Sequence, residues 1–381
     1  MKQKLKAIAF ILGIGLLSGC VDGFAVKSQG GKISTGQDFS ALVWNVQSLF
    51  DGDESGNEYA EFREASNWRP EKYQARITAI SRVIGQLDAG IIGLVELENL
   101  QVLEDLGLAL SGGGYKWKAF AALPGSSLGI GFLSRFPISG VKAHSITIGK
   151  ESAPRPVLEV TIAPNDSPLV FFLCHFKSKL SGGAQGLDTE TLRRASAAVI
   201  QRRLSELKES VEDAQVIVMG DLNENHDEFL RAGAFCALLP DDPDAAELAA
   251  RAVKGTPGGP DFKGGFLVLS GEKPPAARCF PEETPALFSP WMENKNEPKS
   301  EHASEPINEG SYYYRGKWET IDHFLLSEAL FDGCFWEYSG FTVLNREPFT
   351  TAKGTPNGYI AGKGTGLSDH LPLVLNLTFV Q

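Results

Sequence analysis

Residues 216–225 read VIVMGDLNEN, an apolar run that ends in a cluster of polar side chains. A short run rich in Val, Ile and Met is typical of a strand buried on both faces of a sheet. Asp221 and Asn223 follow it with one residue between them, so on an extended segment both side chains point the same way. A carboxylate and a carboxamide on the rigid rim of a sheet are well placed to orient reacting groups. Taken alone, Gly-Asp-Leu-Asn is equally compatible with an ordinary Asx turn.

Four further clusters of ionisable side chains lie beside apolar runs of the same kind. Each run predicts a buried strand, and each cluster therefore falls at a sheet edge. The clusters are Glu96 after IIGLV, His175 after LVFFLC, Asp322-His323 in TIDHFLLS and Asp369-His370 in LSDHLP. Carboxylates, imidazoles and carboxamides on such a rim can hold a metal ion and a phosphate, so the five clusters together indicate one site that hydrolyses a phosphate ester.

The order of these clusters, preceded by WNVQ at residues 44–47, resembles the endonuclease/exonuclease/phosphatase superfamily. Its fold is shared by DNase I, abasic-site endonucleases, bacterial sphingomyelinases and inositol polyphosphate 5-phosphatases. The matching stretches run from about residue 41 to the C-terminus and are WNVQSLFD, GLVELEN, FLSRFPI, CHFKSK, VMGDLNEN, TIDHFLLS and LSDHLPL. The resemblance implies an α/β fold, a four-layer sandwich of two packed mixed β-sheets flanked by helices. It also implies a metal-dependent phosphoric ester hydrolase.

The resemblance assigns the metal ligands and the residues that act on water. Glu96 and Asp369 would be metal ligands, and Asn45 would support both the metal and the scissile phosphate. Asp221 would orient and deprotonate the attacking water, while Asn223 would donate to a phosphoryl oxygen. Mg²⁺ is the expected ion because hard cations prefer oxygen ligands, with Mn²⁺ or Ca²⁺ as alternatives. One metal or two stays open at this point.

Three more residues complete the implied site. Asp322 would bond one ring nitrogen of His370 and so fix its tautomer, leaving the other nitrogen for the phosphate. Whether His370 is the base or stabilises the transition state stays open. His175 would donate to the phosphate or the leaving group. Abasic-site enzymes have tyrosine at that position, which argues against a dedicated abasic-site role.

Two lysines suggest the class of substrate. Lys177 and Lys179 alternate after His175, and HFKSK resembles secreted bacterial nucleases, so these lysines would hold neighbouring phosphates. The leading hypothesis is an exported phosphodiesterase that acts on DNA or RNA. The alternative is a sphingomyelinase-like phospholipase or an inositol-phosphate phosphoesterase. The net charge of −11 disfavours general attraction to polyanions, although Arg193 and Arg194 could join the lysines in a local basic patch.

The N-terminus, MKQKLKAIAFILGIGLLSGC, is typical of a bacterial lipoprotein signal. Lysines precede an apolar run too short to span a bilayer comfortably, and Leu17-Ser18-Gly19-Cys20 resembles a lipobox. We expect a signal peptide at 1–19, lipidation of Cys20 and a flexible tether at 20–38. A monomer on the bacterial cell envelope, periplasmic or extracellular, would then contact the membrane through its lipid anchor only. The less favoured alternative is a buried N-terminal helix.

The rest of the chain, 39–381, is predicted to be one domain. Apolar periodicity predicts helices at 71–87 and 189–209. Between about 232 and 310 the pattern dissolves into a loop-rich insertion, in which only 265–270 resembles a strand. The aromatic cluster at 312–318 either stacks nucleobases or packs at a sheet edge. The cysteine spacing favours no disulfide pairing.

Overall fold

Two β-sheets form the centre of the protein. The computed structural model describes residues 38–148, 151–152, 155–180, 188–210, 214–232, 236–241, 266–269, 285–293 and 310–380. The expected signal peptide, Cys20, residues 21–37 of the tether and most of the predicted insertion lie outside these residues. Among the described helices, none is both long and apolar enough to cross a membrane.

The first sheet is built around the N-terminal strand of the described chain. Its described strands are β1 (Asp38–Leu49), β2 (Ile91–Leu97), β3 (Trp117–Ala121), β4 (Gly129–Ser134), β17 (Phe335–Val343) and β18 (Leu373–Val380). Their order is β17-β18-β1-β2-β4-β3. β1 runs parallel to β2 and antiparallel to β18, so the sheet is mixed.

The second sheet is also mixed. Its described strands are β5 (Ile138–His144), β8 (Val157–Ile162), β9 (Leu169–His175), β10 (Gln215–Asp221), β11 (Leu238–Pro240), β12 (Phe266–Leu269), β13 (Ala286–Phe288) and β16 (Asp322–Leu326). Their order is β11-β12-β13-β16-β10-β9-β8-β5. Two small hairpins lie apart, formed by β6 (Thr147–Ile148) with β7 (Glu151–Ser152) and by β14 (Tyr312–Tyr314) with β15 (Lys317–Glu319).

The two sheets pack face to face around one apolar core. Phe132 of the first sheet and Phe171 of the second make an edge-to-face contact with ring centroids 5.6 Å apart. At Gly93 a β-carbon would lie only 2.6 Å from the methyl group of Met219, so glycine permits this close approach of the sheets. The side chains that the two sheets turn toward each other belong to one buried cluster, and the other face of the second sheet forms a separate cluster with the helix at 189–210.

Helices cover the outer faces of both sheets and complete the predicted four-layer sandwich, which is confirmed. The helices are α1 (Pro70–Gly85), α2 (Leu100–Ala109), α3 (Thr189–Ser210) and the short α4 (Glu228–Ala232). α1 begins with proline at its first position and buries the predicted apolar stripe. α2, which the sequence analysis did not predict, starts where the Asn99 side chain accepts from the Val102 amide at 3.0 Å.

The described pieces of the insertion are more regular than predicted. β11, β12 and β13 are antiparallel neighbours that extend the second sheet beyond β16. The strand-like pattern at 265–270 corresponds to β12. Trp291, just after β13, is buried, and its indole donates to the main-chain carbonyl of Asp322 at 2.9 Å. This part of the insertion therefore packs against the strand that carries a predicted site residue.

One glycine permits the close pairing of β9 and β10 immediately before the predicted site. Gly220 has a φ of +138°, and a β-carbon there would lie 1.9 Å from the carbonyl oxygen of Cys174 on β9. Only glycine fits this backbone without forcing the strands apart. The next residue is Asp221, so the tight strand pairing continues to the edge of the sheet.

Candidate active site

Three predicted residues lie in one row across the second sheet. β9 and β10 are parallel and both end at this edge, whereas the antiparallel β16 begins there. The main-chain register pairs Asp221 with His175 on one side and with Asp322 on the other. Strand pairing alone thus brings together three side chains that are far apart in the sequence.

The first sheet contributes Asn45 and Glu96 from the neighbouring strands β1 and β2. Their pairing is interrupted by a bulge between Asn45 and Leu49. Around it Gln47, Ser48 and Glu96 adopt left-handed φ values of 54°, 53° and 69°. The bulge lets the Ser48 amide and hydroxyl donate to Glu96 Oε2 at 2.7 and 3.1 Å, which fixes that carboxylate.

Asn45 joins the two sheets through its side-chain amide. Its nitrogen donates to Glu96 Oε1 at 3.2 Å and to Asp221 Oδ2 at 3.0 Å. Its oxygen accepts from the Gln47 amide at 2.9 Å. Asn45 is buried, so this amide is held between a carboxylate from each sheet.

His370 is held by Asp322, as the sequence analysis predicted. Its Nδ1 lies 2.8 Å from Asp322 Oδ2, and the same oxygen accepts from the Ser311 hydroxyl at 2.6 Å. The indole of Trp44 donates to the main-chain carbonyl of His370 at 2.9 Å. Burial opposes a charged imidazole, but Asp322 and the neighbouring carboxylates prevail and raise the pKa of His370 to about 10. The ring is therefore charged at neutral pH, with Nδ1 bonded to Asp322.

Asp221 holds its proton more strongly than an ordinary aspartate. Burial and the charge of Asp322 raise its pKa to about 7, although the hydrogen bonds from Asn45 and from the Asn223 amide at 2.9 Å act in the opposite direction. A carboxylate poised near neutrality suits general-base chemistry. Asn223 itself has a left-handed φ of 53° and donates from Nδ2 to the Phe176 carbonyl at 3.1 Å.

His175 is buried and electrically neutral at physiological pH. Burial first, and then the charges of Arg155, His370 and Lys177, hold its pKa well below the usual value. Its Nε2 lies 3.6 Å from both Glu96 Oε1 and Asp221 Oδ2, too far for direct hydrogen bonds. A neutral imidazole here can still offer one N–H to an oxygen in the site.

Several carboxylates crowd this edge, and their arrangement could hold a metal ion. Asp221, Asp322 and His370 are buried and place one potential ligand atom each within 4.8 Å of one another. Asp369 is partly buried, and this burial, together with the charge of Glu96, raises its pKa. Concentrated oxygen donors with raised pKa values fit a hard divalent cation, which would stabilise their charged forms.

A cleft of about 370 Å³ lies at this rim, and most of the predicted site residues line it, but Asn45, Asp322 and Lys177 do not. The lining residues are Gln47, Ser48, Tyr59, Glu61, Glu96, Arg155, His175, Ser178, Lys179, Leu180, Asp221, Asn223, Tyr312, Tyr314, Glu319, Ile321, Asp369 and His370. Arg155 was missed by the sequence analysis, since it lies before β8 and outside every matching stretch. Its guanidinium donates to the Phe176 carbonyl at 2.7 Å, the same oxygen that accepts from Asn223.

The predicted basic patch is only partly present. Lys179 lines the cleft, but its ammonium is paired with the carboxylate of Glu228. Lys177 is not among the cleft-lining residues. Arg193 does not contribute to a patch, because it is buried and bonded to Glu224 at 2.9 Å and to Glu190 at 2.6 Å. The expectation for Arg193 was therefore wrong, since its charge is neutralised inside the protein.

Two residues that the sequence analysis gave no role hold the main chain around the site. Gln47 Oε1 accepts from the main-chain amides of Tyr359 and Asp369 at 2.6 and 3.0 Å. Arg76 of α1 donates to the main-chain carbonyls of residues 46, 47 and 48, and its guanidinium carbon lies 3.8 Å from the centre of the Tyr359 ring. Arg76 precedes Ile77 on the apolar stripe of α1, a position that could have indicated a buried arginine.

The other described histidines have partners of their own. His323 is fully buried and its Nε2 lies 2.7 Å from the Glu224 carbonyl. His144 pairs with Glu159 at 2.6 Å. His226 lies 2.8 Å from the Thr320 hydroxyl. Within the described residues, these rings lie outside the cleft lining.

Comparisons with known proteins agree with this geometry. A family model described as "Endonuclease/Exonuclease/phosphatase family" matches residues 40–244, more than half of the chain. No curated protein matches the chain in sequence.

Solved structures share the fold at low sequence identity. A truncated TDP2 from Caenorhabditis elegans is 14% identical with a TM-score of 0.51, over 91% of this chain and 99% of that one. ANGEL2, described as a 2′,3′-cyclic phosphatase, is 15% identical with a TM-score of 0.51, over 90% and 96% of the two chains. A humanised TDP2 of D. rerio is 14% identical with a TM-score of 0.50, over 90% and 99%. At such identities the likeness shows the fold alone.

Replacing Arg76 with Met should lower the free energy of unfolding by roughly 2–4 kcal/mol, because buried carbonyls lose their donors. Arg82→Met is the matched control, since Arg82 lies on the exposed face of the same helix and should change stability by less than about 0.5 kcal/mol. Urea denaturation followed by tryptophan fluorescence measures both. Equal stability of the two variants would contradict the supporting role of Arg76.

Proposed function

The chain belongs to the endonuclease/exonuclease/phosphatase family, and from that premise we propose that it is a metal-dependent phosphodiesterase that cleaves nucleic acid. The observation that carries the proposal is the convergence of Asp221, His370 and Asn223 on one cleft with a cationic Arg155. A poised carboxylate and a charged imidazole in one cavity match the needs of in-line attack on a phosphate diester, and the guanidinium beside them suits a neighbouring phosphate.

Asp221 is the proposed general base. With a pKa of about 7, it is substantially ionised at neutral pH and basic enough to take a proton from water. The water oxygen attaches to phosphorus as the bond to the leaving oxygen breaks. The proton taken by Asp221 then returns to the leaving group or to solvent.

His370 is proposed to stabilise the transition state rather than act as the base. Its pKa of about 10 keeps the ring protonated at neutral pH, so Nε2 can donate to a phosphoryl oxygen while Nδ1 remains with Asp322. His175 and Asn223 supply further neutral N–H donors to the same region. A role as base would require a deprotonated ring, which Asp322 disfavours.

Glu96 and Asp369 are the proposed ligands of Mg²⁺, with Asn45 beside them, and Mn²⁺ or Ca²⁺ are alternatives. The ion would supply Lewis-acid polarisation of the phosphate. Asp322 is a less suitable ligand, although it belongs to the buried group that could bind a metal. One of its oxygens already accepts from Ser311 and pairs with His370.

Nucleic acid is the proposed substrate because cationic groups flank the cleft on one side. Arg155 lines it, and burial together with the charge of Arg155 lowers the pKa of the neighbouring Lys177. The two groups therefore form a local positive region on an acidic chain, suited to phosphates next to the scissile one. A sphingomyelinase-like activity would need a hairpin with exposed aromatic side chains that insert into the membrane. Trp291 is buried, so it does not supply such a side chain.

Asp221→Asn and His370→Ala should each lower kcat on a small diester by at least about 10²-fold while the protein stays folded. In this Mg²⁺ assay, wild-type kcat/KM should rise with pH through a midpoint below about 7 as Asp221 loses its proton, and this limb should vanish in Asp221→Asn. A bound cation would shift the limb to lower pH. Initial rates with bis(p-nitrophenyl) phosphate and Mg²⁺ measure both effects.

Asp88→Asn is the matched control. Asp88 is exposed and lies just before the start of β2, whereas Glu96 lies near the end of that strand. It should keep wild-type activity. Unchanged activity in Asp221→Asn, or a wild type active on sphingomyelin or inositol phosphates but not on nucleic acid, would contradict the proposed function.

Arg155→Gln should raise KM for DNA or RNA and reduce the salt dependence of binding by about one phosphate contact. The variant should cleave bis(p-nitrophenyl) phosphate nearly as well as wild type, because that ester has no flanking phosphate. Lys179→Ala should have a smaller effect, since its ammonium is paired with Glu228. Arg202→Gln, on the exposed face of α3, is the control. Equal losses on both substrates would place Arg155 in catalysis or folding.

We further propose that the protein is an exported monomer held on the bacterial envelope by lipid at Cys20. The proposal rests on the N-terminal lysines, the apolar run and Leu17-Ser18-Gly19-Cys20. Cells fed a labelled fatty acid should incorporate it into the wild type and into Cys334→Ser, which changes an exposed cysteine, but not into Cys20→Ser. Absence of label from the wild type would refute the anchor, and size-exclusion chromatography of the soluble form tests the monomer.

A further inference from the structure

The hairpin of β14 and β15, residues 312–319, forms one side of the cleft and is here called the tyrosine hairpin. Because strand side chains alternate, its two faces differ. Tyr312, Tyr314 and Glu319 line the cleft. Tyr313 and Trp318 contact each other edge to face, with centroids 5.2 Å apart, and neither lines it. The contact between Tyr313 and Trp318 accounts for packing within the hairpin, whereas the rings of Tyr312 and Tyr314 lie at the cleft.

The rings on the cleft side continue outward from His370. Tyr312 stacks on the imidazole with centroids 4.6 Å apart and planes at 29°. Tyr314 follows, 6.1 Å from Tyr312 with planes at 13°. The guanidinium carbon of Arg315 lies 5.1 Å from the centre of the Tyr314 ring. Nearly parallel aromatic rings thus lead from the proposed reaction centre toward the tip of the hairpin.

The main chain holds these rings in place. Tyr312 forms a β-bridge with His370, and the Leu371 amide donates to the Ser311 carbonyl at 2.7 Å. The Ser311 amide donates to the Glu319 carbonyl at 3.0 Å. A ring that is already fixed loses little side-chain entropy when a planar group stacks on it.

The charges around the cleft distinguish this side from the opposite one. Arg155 near His175 suits phosphates. On the tyrosine side, the charged hairpin residue that lines the cleft is Glu319, which repels phosphates, whereas Arg315 lies at the hairpin tip outside the lining. A carboxylate next to aromatic rings instead suits a neutral planar group that carries N–H donors on its edge. Nucleobases have both properties.

We propose that Tyr312 and Tyr314 form a stacking subsite for the nucleobase next to the scissile phosphate. The proposal deepens the proposed function, on which it rests for the identity of the scissile bond. Tyr314 is the residue to change, because Tyr312 contacts His370 and its loss would disturb the reaction centre.

Binding without turnover tests the subsite. Wild type in EDTA is titrated into a short fluorescent single-stranded oligonucleotide and into one of equal length that lacks bases. Tyr314→Ala should weaken binding of the base-containing strand by about 5- to 100-fold, the usual range for one stacked base. Its binding of the abasic strand should change by less than about 2-fold, because backbone contacts remain. Tyr314→Phe should bind like wild type, since it keeps the ring.

Tyr313→Ala is the matched control, because it removes the same side chain from the opposite face of the hairpin. The subsite is wrong if Tyr314→Ala weakens both strands equally, if Tyr313→Ala has the same effect, or if wild type does not prefer the base-containing strand. Hydrolysis of bis(p-nitrophenyl) phosphate by wild type separates the two proposals. Cleavage without base preference overturns the subsite alone, whereas base preference through Tyr314 without cleavage of any diester overturns the hydrolase and leaves the subsite standing.

Discussion

The hydrogen-bonded register of β9, β10 and β16 is the constraint on which the site depends. It places His175, Asp221 and Asp322 in one row at the sheet edge. A slip of one residue would turn Asp221 to the other face of the sheet, because strand side chains alternate with a period of two. Gly220 supports this register, since its missing β-carbon is what lets β10 lie against the Cys174 carbonyl. The relative positions of these three side chains are therefore set by the main-chain pairing of the strands.

The carboxylates gathered at the site are costly to bury. Burial and mutual repulsion raise the pKa values of Asp221 and Asp369, which means that their charged forms lose stability in the folded protein. Part of that cost is offset by hydrogen-bond donors, among them Asn45 of the first sheet and the Ser311 hydroxyl just before β14. The large apolar core between the sheets allows the fold to tolerate the remainder, and a bound cation would relieve it further.

Positive and negative side chains lie on different sides of the cleft, and this local distribution differs from the net negative charge of the chain. Arg155 and Lys177 lie on the side of β8 and β9, while the tyrosine hairpin and Glu319 lie on the side of His370. A net charge of −11 describes the whole molecule and says little about a cleft in which a few groups dominate the local potential. Substrate preference is expected to follow these local groups, because the wider surface repels polyanions.

Strand and helix periodicity are local properties of a sequence. The sequence alone was therefore sufficient to predict the strands that end at the site, both long helices and the polar residues at the strand ends. The helix predicted at 71–87 is Pro70–Gly85, and the apolar runs that lead to Glu96, His175 and Asp221 are the strands β2, β9 and β10. The short α2 and the strands β11 and β13 escaped prediction, since their sequences are brief and their stability comes from the sheet or core against which they pack.

Which charged side chains face the cleft depends on the packing of segments that are distant in the sequence. Arg193 and Lys179 looked equally available in the sequence, yet Glu224 and Glu190 neutralise the first and Glu228 pairs with the second. Arg155, Gln47 and Arg76 act through contacts with residues distant in the chain, or through a cleft assembled from distant segments. The local sequence pattern determines the face of a helix or strand on which a side chain lies. The residue that a side chain contacts depends on how distant segments pack, and no single stretch of sequence determines that packing.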